Sequence, residues 1–205
     1  MKKILAIMLA TIMVFAMTAC DDVDDVVEES EVTNPVTACT SAKELMKATG
    51  ISIDAPKGAT DVSYSYISDS DEDGTEYIAQ VDFTLDGVSY NYRCESTDER
   101  SIFDDDAANN QNASDAELQD MMNDAIEDGA ELAGLNYKFG ASASVDLEAG
   151  PEAIVAFNEG KEGFIAWVDL VPGFMYSLSM NEGASQDLLM TTADKTFVSM
   201  QGDTE

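Results

Sequence analysis

Apolar and polar residues alternate along three consecutive segments in the first half of the chain. This alternation predicts strands with one buried face, and Asp86-Gly87 between the last two segments is typical of a tight hairpin turn. We therefore expect three antiparallel strands whose aromatic face packs in the core, with a sugar-binding platform as the alternative. The residues on that face are Val62, Tyr64 and Tyr66; Tyr77, Ala79, Val81 and Phe83; and Val88, Tyr90, Tyr92 and Cys94.

Helical spacing of apolar residues appears in three other segments. The first two segments begin with the serine and glutamate of a capping box, Ser41 with Glu44 and Ser114 with Glu117. Gly50 follows the first segment, where a helix C-cap favours a left-handed backbone. The predicted helices cover residues 41–49, 114–128 (or as far as Gly134) and 185–196.

The last third of the chain returns to strand patterns, over residues 153–157, 162–170 and 174–180. The links between these strands are hairpins, too short for the crossovers that parallel strands need. The element order therefore predicts an α+β fold. We expect an antiparallel, curved sheet made from two groups of hairpin strands and packed on one face by two or three helices.

The first twenty residues have the layout of an export signal. Lys2 and Lys3 precede an apolar run over residues 4–16, which is shorter than the roughly 20 residues of a membrane span. Met17-Thr18-Ala19-Cys20 resembles the lipobox of bacterial lipoproteins. The resemblance implies a signal peptide over residues 1–19 and fatty acyl chains, such as palmitate, on Cys20. Plain secretion with an incidental cysteine is the alternative.

The remainder of the chain divides into a stalk and a folded part. Residues 20–33 are mostly acidic and predict a solvated stalk. Asn34-Pro35 marks the start of a single α+β domain over residues 34–205. A second organisation stays open, in which an acidic linker and helix join two sheet-containing halves. The halves would be residues 34–103 and 131–205, and the link would be residues 104–130.

Composition narrows the classes of partner and chemistry. The chain has 41 acidic and 10 basic residues, a formal net charge of −31, and no histidine. Such a surface repels DNA and RNA, so we expect no nucleic-acid partner. Without histidine the chain cannot form a Ser-His-Asp triad, a Cys-His pair or the usual zinc sites.

Two cysteines remain once Cys20 carries lipid. Outside the cytoplasm, Cys39 and Cys94 could form a disulfide that closes a loop of about 55 residues. Two buried free thiols explain the same residues. The sequence leaves both interpretations open.

Residues 67–77, ISDSDEDGTEY, begin like a calcium loop. Asp69, Asp71 and Asp73 alternate before a glycine, but the twelfth position is Gln80, where an EF-hand-type loop needs a bidentate carboxylate. The flanking segments are predicted strands, whereas the motif expects a helix. The three aspartates are therefore only a weak metal candidate, and the polar tip of a hairpin explains every residue of the stretch.

Five segments of the chain carry a family resemblance: the lipobox, Asn34-Pro35, SAKELMKATGISIDAPKG, GVSYNYR and GKEGFIAWVDLVPGFMYSLSMNEGASQDLLMTTADKTF. In these segments the chain resembles small clostridial-type lipoproteins of unknown function from the Gram-positive cell surface. The last segment is also similar to the C-terminal module of some anti-sigma-factor-like membrane proteins. The segment 104–130 departs from the pattern. The resemblance implies lipid attachment at Cys20 and brings no catalytic motif and no cofactor.

These observations predict a membrane-anchored extracytoplasmic lipoprotein rather than an enzyme. We expect the lipid bilayer as one partner, through Cys20. We expect an extracellular protein, a wall component or a hydrophobic ligand as the other. One alternative is a histidine-independent carboxylate hydrolase of the cell envelope, although no carboxylate pair stands out among so many. A purely structural surface spacer is the other, and it would show neither a pocket nor an open apolar patch.

Overall fold

The alternating segments form strands of one sheet, and the segments of helical spacing form helices on its faces. The computed structural model describes residues 36–70, 75–97, 101–103, 114–136, 138–148, 150–169 and 173–201. Within these ranges the elements are β1 (Val36–Cys39), α1 (Ala42–Thr49), β2 (Thr60–Ser70), β3 (Thr75–Leu85), β4 (Val88–Ser96), α2 (Asp115–Ala133), β5 (Ala141–Asp146), β6 (Glu152–Phe157), β7 (Gly163–Asp169), β8 (Phe174–Met180) and α3 (Gln186–Gln201).

The eight strands form one open antiparallel sheet in the order β1-β2-β3-β4-β8-β7-β6-β5. The pairing of β4 with β8 joins the two groups of hairpin strands, with Arg93 opposite Ser177 and Asn91 opposite Ser179. The predicted α+β fold with an antiparallel sheet is confirmed. The described residues, from Val36 onward, belong to one compact unit.

The first face of the sheet, on which α1 and α3 pack, holds the aromatic core. Phe83, Tyr90 and Tyr92 are at most 3% exposed, and they pack in one cluster with Leu45 of α1 and Leu189 of α3. The predicted packing of two helices on one face is therefore confirmed. These three aromatic residues belong to the core, and a sugar platform on them is excluded because they are buried. Tyr77 of β3 is half-buried and packs against the same cluster.

The second face carries α2, which packs over β6, β7, β8 and the adjoining part of β4. Its buried side chains include Ala125 and Leu132. Gly129 allows α2 to pack closely against β7, since a Cβ at this position would lie 2.5 Å from Cε2 of Phe164 and 2.9 Å from Cβ of Ala166. The helices therefore cover both faces of the sheet.

Most of the helix-capping and turn motifs predicted from the sequence are present in the structure. Ser114 and Glu117 make a complete capping box. Ser41 accepts from the backbone N–H of Glu44, but the Glu44 carboxylate reaches one residue further back and accepts from Thr40 N at 2.7 Å. Asp86 and Gly87 have φ of 54° and 83°, as the predicted hairpin requires.

Two edge strands were not predicted, β1 and β5. Their sequences, VTAC and ASASVD, are short and rich in small residues, so their alternation carries little apolar signal. The last helix also continues to Gln201, beyond the predicted end near residue 196.

The predicted signal peptide, the stalk and the lipid-attachment residue Cys20 lie outside the described residues. In the part of the chain that the structure describes, no helix combines the length and the apolarity needed to cross a membrane.

Candidate functional site

A group of polar side chains lies on the second face where β3, β4 and β8 run side by side. Their side chains share this face because residues two apart in a strand point the same way, and the strand register aligns them. Helix α2 passes over β4 and β8 and covers part of the group. We call it the polar patch, and its members are Gln80 and Asp82 of β3, Asn91, Arg93 and Glu95 of β4, and Ser177 and Ser179 of β8.

Four members of the polar patch form a chain of hydrogen bonds across β3 and β4. The Asp82 carboxylate accepts from Asn91 Nδ2 at 2.6 Å and from Gln80 Nε2 at 2.8 Å. Gln80 Oε1 in turn accepts from Arg93 Nε at 3.0 Å. The Gln80 amide therefore connects the Asp82 carboxylate with the Arg93 guanidinium.

Arg93 also connects the polar patch to the end of α2. Its Nη1 donates to the backbone carbonyl of Leu132 at 3.1 Å. The last turn of α2 has no basic residue of its own, so Arg93 provides the positive charge that a helix C-terminus favours. Burial lowers the pKa of Arg93, and the charges of Asp82 and Glu95 oppose that shift.

The polar patch retains unused hydrogen-bonding capacity. Asn91 Oδ1 and Ser177 Oγ are buried and have no hydrogen-bond partner among the described residues. Ser177 is fully buried and lies directly opposite Arg93, whose bonds to Gln80 and Leu132 use two of its five N–H groups. Buried polar atoms without partners are rare, and a water or a ligand group commonly satisfies them.

Glu95 lies at the other end of the polar patch, beneath α2. Its neighbours across the sheet are Ile78 of β3 and Met175 of β8, both in the apolar cluster under the helix. Burial raises the pKa of Glu95 to about 7, and the negative charges of Glu131, Glu76 and Asp128 add to the shift while Arg93 opposes it. Glu95 can therefore exchange a proton near neutral pH.

The two cysteines lie on strands that do not touch. Cys39 is on β1 and Cys94 on β4, with β2 and β3 between them, and both thiols are free. Neighbouring strands are about 4.8 Å apart, so the two Cα atoms are separated by roughly 14 Å or more. A disulfide needs Cα atoms within about 7 Å, so the disulfide hypothesis for Cys39 and Cys94 is wrong.

The weak calcium candidate lies at the β2–β3 hairpin. Asp69 is in β2 with its backbone opposite Glu76 of β3, whereas Asp71 and Asp73 lie outside the described residues. The flanks of the loop are strands, as predicted from the sequence. Gln80, the twelfth position of the motif, is in β3, where its side chain bonds Asp82 and Arg93.

None of the site residues proposed from the sequence lies in the polar patch. Its residues alternate with the aromatic core positions in β3 and β4, a pattern that indicates an ordinary solvated face. Two signals were available: an arginine in the middle of a strand, and the alternating serines of Tyr176-Ser-Leu-Ser179. Comparison of the chain with protein-family models, with curated proteins and with solved structures found no match.

Proposed function

We propose that the protein is a lipid-anchored, extracytoplasmic lipoprotein whose folded part binds or senses a component outside the membrane. The lipobox-like string that ends at Cys20 supports the anchor. An acidic stalk of the proposed length would hold the folded part away from the lipid surface. This is an anchoring and binding role rather than a catalytic one.

The polar patch is the proposed binding surface. The observation that carries this proposal is the pair of buried, unpartnered oxygens, Asn91 Oδ1 and Ser177 Oγ, beside an arginine with spare donors. Arg93 and Asn91 are each only partly buried, so a ligand group can reach the exposed part of each side chain. A ligand hydroxyl that displaces the side chains covering Asn91 Oδ1 can donate to this oxygen and accept from Arg93.

Charge favours a neutral, hydroxyl-rich wall component over an anionic one. The chain carries a formal net charge of −31, and the polar patch itself contains two carboxyls, Asp82 and Glu95. An anionic polymer would be repelled on approach, whereas a neutral glycan would not. The first face gives a hydrophobic ligand less support, because aromatic side chains fill it and helices cover it.

The anchor is tested on the native product. We expect mass spectrometry of the membrane fraction to find a mature chain that begins at Cys20 and carries acyl chains. A Cys20→Ser variant should retain residues 1–19 and lose the acyl mass. An unmodified Cys20 in the wild-type chain would contradict the anchor while leaving the binding proposal untouched.

The binding surface is tested with soluble, neutral fragments of cell-wall glycan. We expect these fragments to shift the NMR signals of β3 and β4, and Asn91→Ala to weaken binding at least tenfold through the loss of one or two hydrogen bonds. Ser142→Ala on the exposed strand β5 is the matched control and should bind as the wild type does. Absence of any shift, or shifts that Asn91→Ala leaves unchanged, would reject this surface.

A histidine-independent hydrolase is the second candidate function, and Glu95 is the observation that favours it. A carboxyl with a pKa of about 7 suits a general acid, and Glu76, Asp128 and Glu131 provide carboxylates nearby. Release of reducing ends from the same glycan fragments, lost in Glu95→Gln, would favour the hydrolase. Binding without turnover would favour the binding role.

A further inference from the structure

Helix α2 is strongly acidic, and the sheet beneath it carries further carboxyls at Glu76 and Glu95. Its sequence, DAELQDMMNDAIEDGAELA, has many carboxylates and no basic residue. Arg93, on the sheet beneath it, donates to the backbone carbonyl of Leu132 near its C-terminus. Close packing of Gly129 and Leu132 must therefore hold the helix in place against repulsion between like charges.

That repulsion is concentrated at Glu95. The charged groups that face it are Asp128 and Glu131 from α2, Glu76 from β3 and Arg93 from its own strand. The side that β8 contributes is apolar, at Met175. Within the described ranges no hydrogen bond to the Glu95 carboxyl offsets its partial burial, so ionisation places a partly desolvated negative charge beneath a negative helix.

We propose that α2 is a pH-responsive cover of the second face, which packs tightly when Glu95 is protonated and opens more often when Glu95 is ionised. Opening would uncover the apolar residues under the helix, among them Phe164 and Ala166, and would release Arg93 from Leu132. This inference does not depend on the identity of any ligand.

The direction follows from proton binding. With α2 closed, burial and the neighbouring charges raise the pKa of Glu95 from 4.5 to about 7, whereas with α2 open the carboxyl returns towards its ordinary value. The closed form therefore binds the extra proton, and its advantage is lost as pH rises through about 7. A shift of this size corresponds to a change in the opening equilibrium on the order of 100-fold between pH 5 and pH 8.

The test is amide hydrogen exchange of the whole folded chain at pH 5.5, 6.5, 7.5 and 8.5, corrected for the intrinsic exchange rate at each pH. Peptides from α2 are compared with peptides from the central strand β7 in the same sample. We expect the protection of α2 relative to β7 to fall about 30-fold across this range, and the loss to level off above about pH 7.

Two variants distinguish the effect of the Glu95 charge on α2 from the effect of the net charge of the helix. Glu95→Gln keeps the shape of the protonated side chain, so α2 should stay protected at every pH. Glu127→Gln removes the same charge from an exposed position of the same helix and should keep the wild-type pH dependence. If Glu95→Gln misfolds, Glu131→Gln should shift the midpoint of the transition to lower pH.

Two outcomes would overturn the proposal. One is protection of α2 that does not change between pH 5.5 and 8.5 in the wild type. The other is a pH dependence that survives in Glu95→Gln. Loss of glycan binding with the exchange pattern intact would instead contradict only the binding role of the polar patch.

Discussion

At the scale of single residues, Glu95 shows how one position can link stability to pH. An ordinary carboxyl has a pKa near 4 and is ionised well below pH 6. Burial beneath α2 and the charges of Glu131, Glu76 and Asp128 set Glu95 apart, with a pKa of about 7. A neutral carboxyl at this position is compatible with its apolar neighbours, and an ionised one is not.

Global stability should therefore fall as pH rises from about 4.5 to about 7. Over this interval the folded chain holds a proton on Glu95 that the unfolded chain has lost, so unfolding becomes easier with each step in pH. The loss amounts to about 2–3 kcal/mol by pH 8. Urea unfolding at pH 5, 6, 7 and 8 measures it, and Glu95→Gln should be more stable than the wild type at pH 8 by a similar amount. Equal slopes in both chains would contradict the assignment to Glu95.

The two thiols provide a second prediction for individual residues. Cys39 is half-buried on an edge strand, whereas Cys94 is buried in the core, where burial raises its pKa strongly. A maleimide reagent at pH 7.5 should label Cys39 in the folded, soluble domain and reach Cys94 only in denaturant. Cys39→Ser is the control and should leave no fast-reacting thiol. A mass about 2 Da below that of the reduced chain, with no labelling even in denaturant, would show that Cys39 and Cys94 form a disulfide.

At the scale of elements, the C-caps of α1 and α2 are alike in backbone but differ in surroundings. Gly50 and Gly134 have φ of 78° and 70°. A Cβ at residue 50 would meet open space, whereas one at residue 134 would collide with the guanidinium of Arg93. The second cap therefore serves the contact between α2 and the sheet as well as the end of the helix.

Alanine at the two caps should measure that contact. Gly50→Ala should cost about 1–2 kcal/mol of unfolding free energy, from the left-handed backbone alone. Gly134→Ala should cost at least about 1 kcal/mol more, because it displaces Arg93 from the carbonyl of Leu132. In an Arg93→Met background the difference between the two alanine variants should disappear. Equal losses in the wild-type background would show that the contact contributes nothing measurable.

Elements with strong local signals could be predicted from the sequence, and elements defined by long-range packing could not. Alternation marked β3 and β4, and serine caps marked α1 and α2. The edge strands have too few apolar residues to stand out. The pairing of β4 with β8, between residues about 80 positions apart, has no local signal at all. The polar patch depends on that pairing and on the position of α2, so its residues could not be distinguished from a solvated strand face.

At the scale of the whole molecule, the net charge of −31 acts against the compact state. Repulsion between surface carboxylates extends over about 10 Å at 0.1 M salt and shortens as salt is added. Added salt should therefore stabilise this protein, whereas it weakens proteins that depend on surface ion pairs. Divalent cations should act more strongly than sodium at equal concentration, because they screen anions more effectively.

The last prediction separates this general screening from a specific calcium site at the β2–β3 hairpin. We expect calcium and magnesium, each at 2 mM (about the range of weak extracellular sites), to raise the thermal midpoint equally. The reason is that the loop lacks a carboxylate at its twelfth position, where Gln80 instead bonds Asp82 and Arg93.

A variant with Asp69, Asp71 and Asp73 changed to asparagine should respond equally to both ions, and somewhat less than the wild type because it carries less charge. The matched control removes the same number of charges from the exposed side of α2, through Asp120→Asn, Asp124→Asn and Glu127→Gln. The prediction is contradicted if calcium raises the thermal midpoint more than magnesium does and only the hairpin variant loses the difference. That result would establish a calcium site despite Gln80 at the twelfth position.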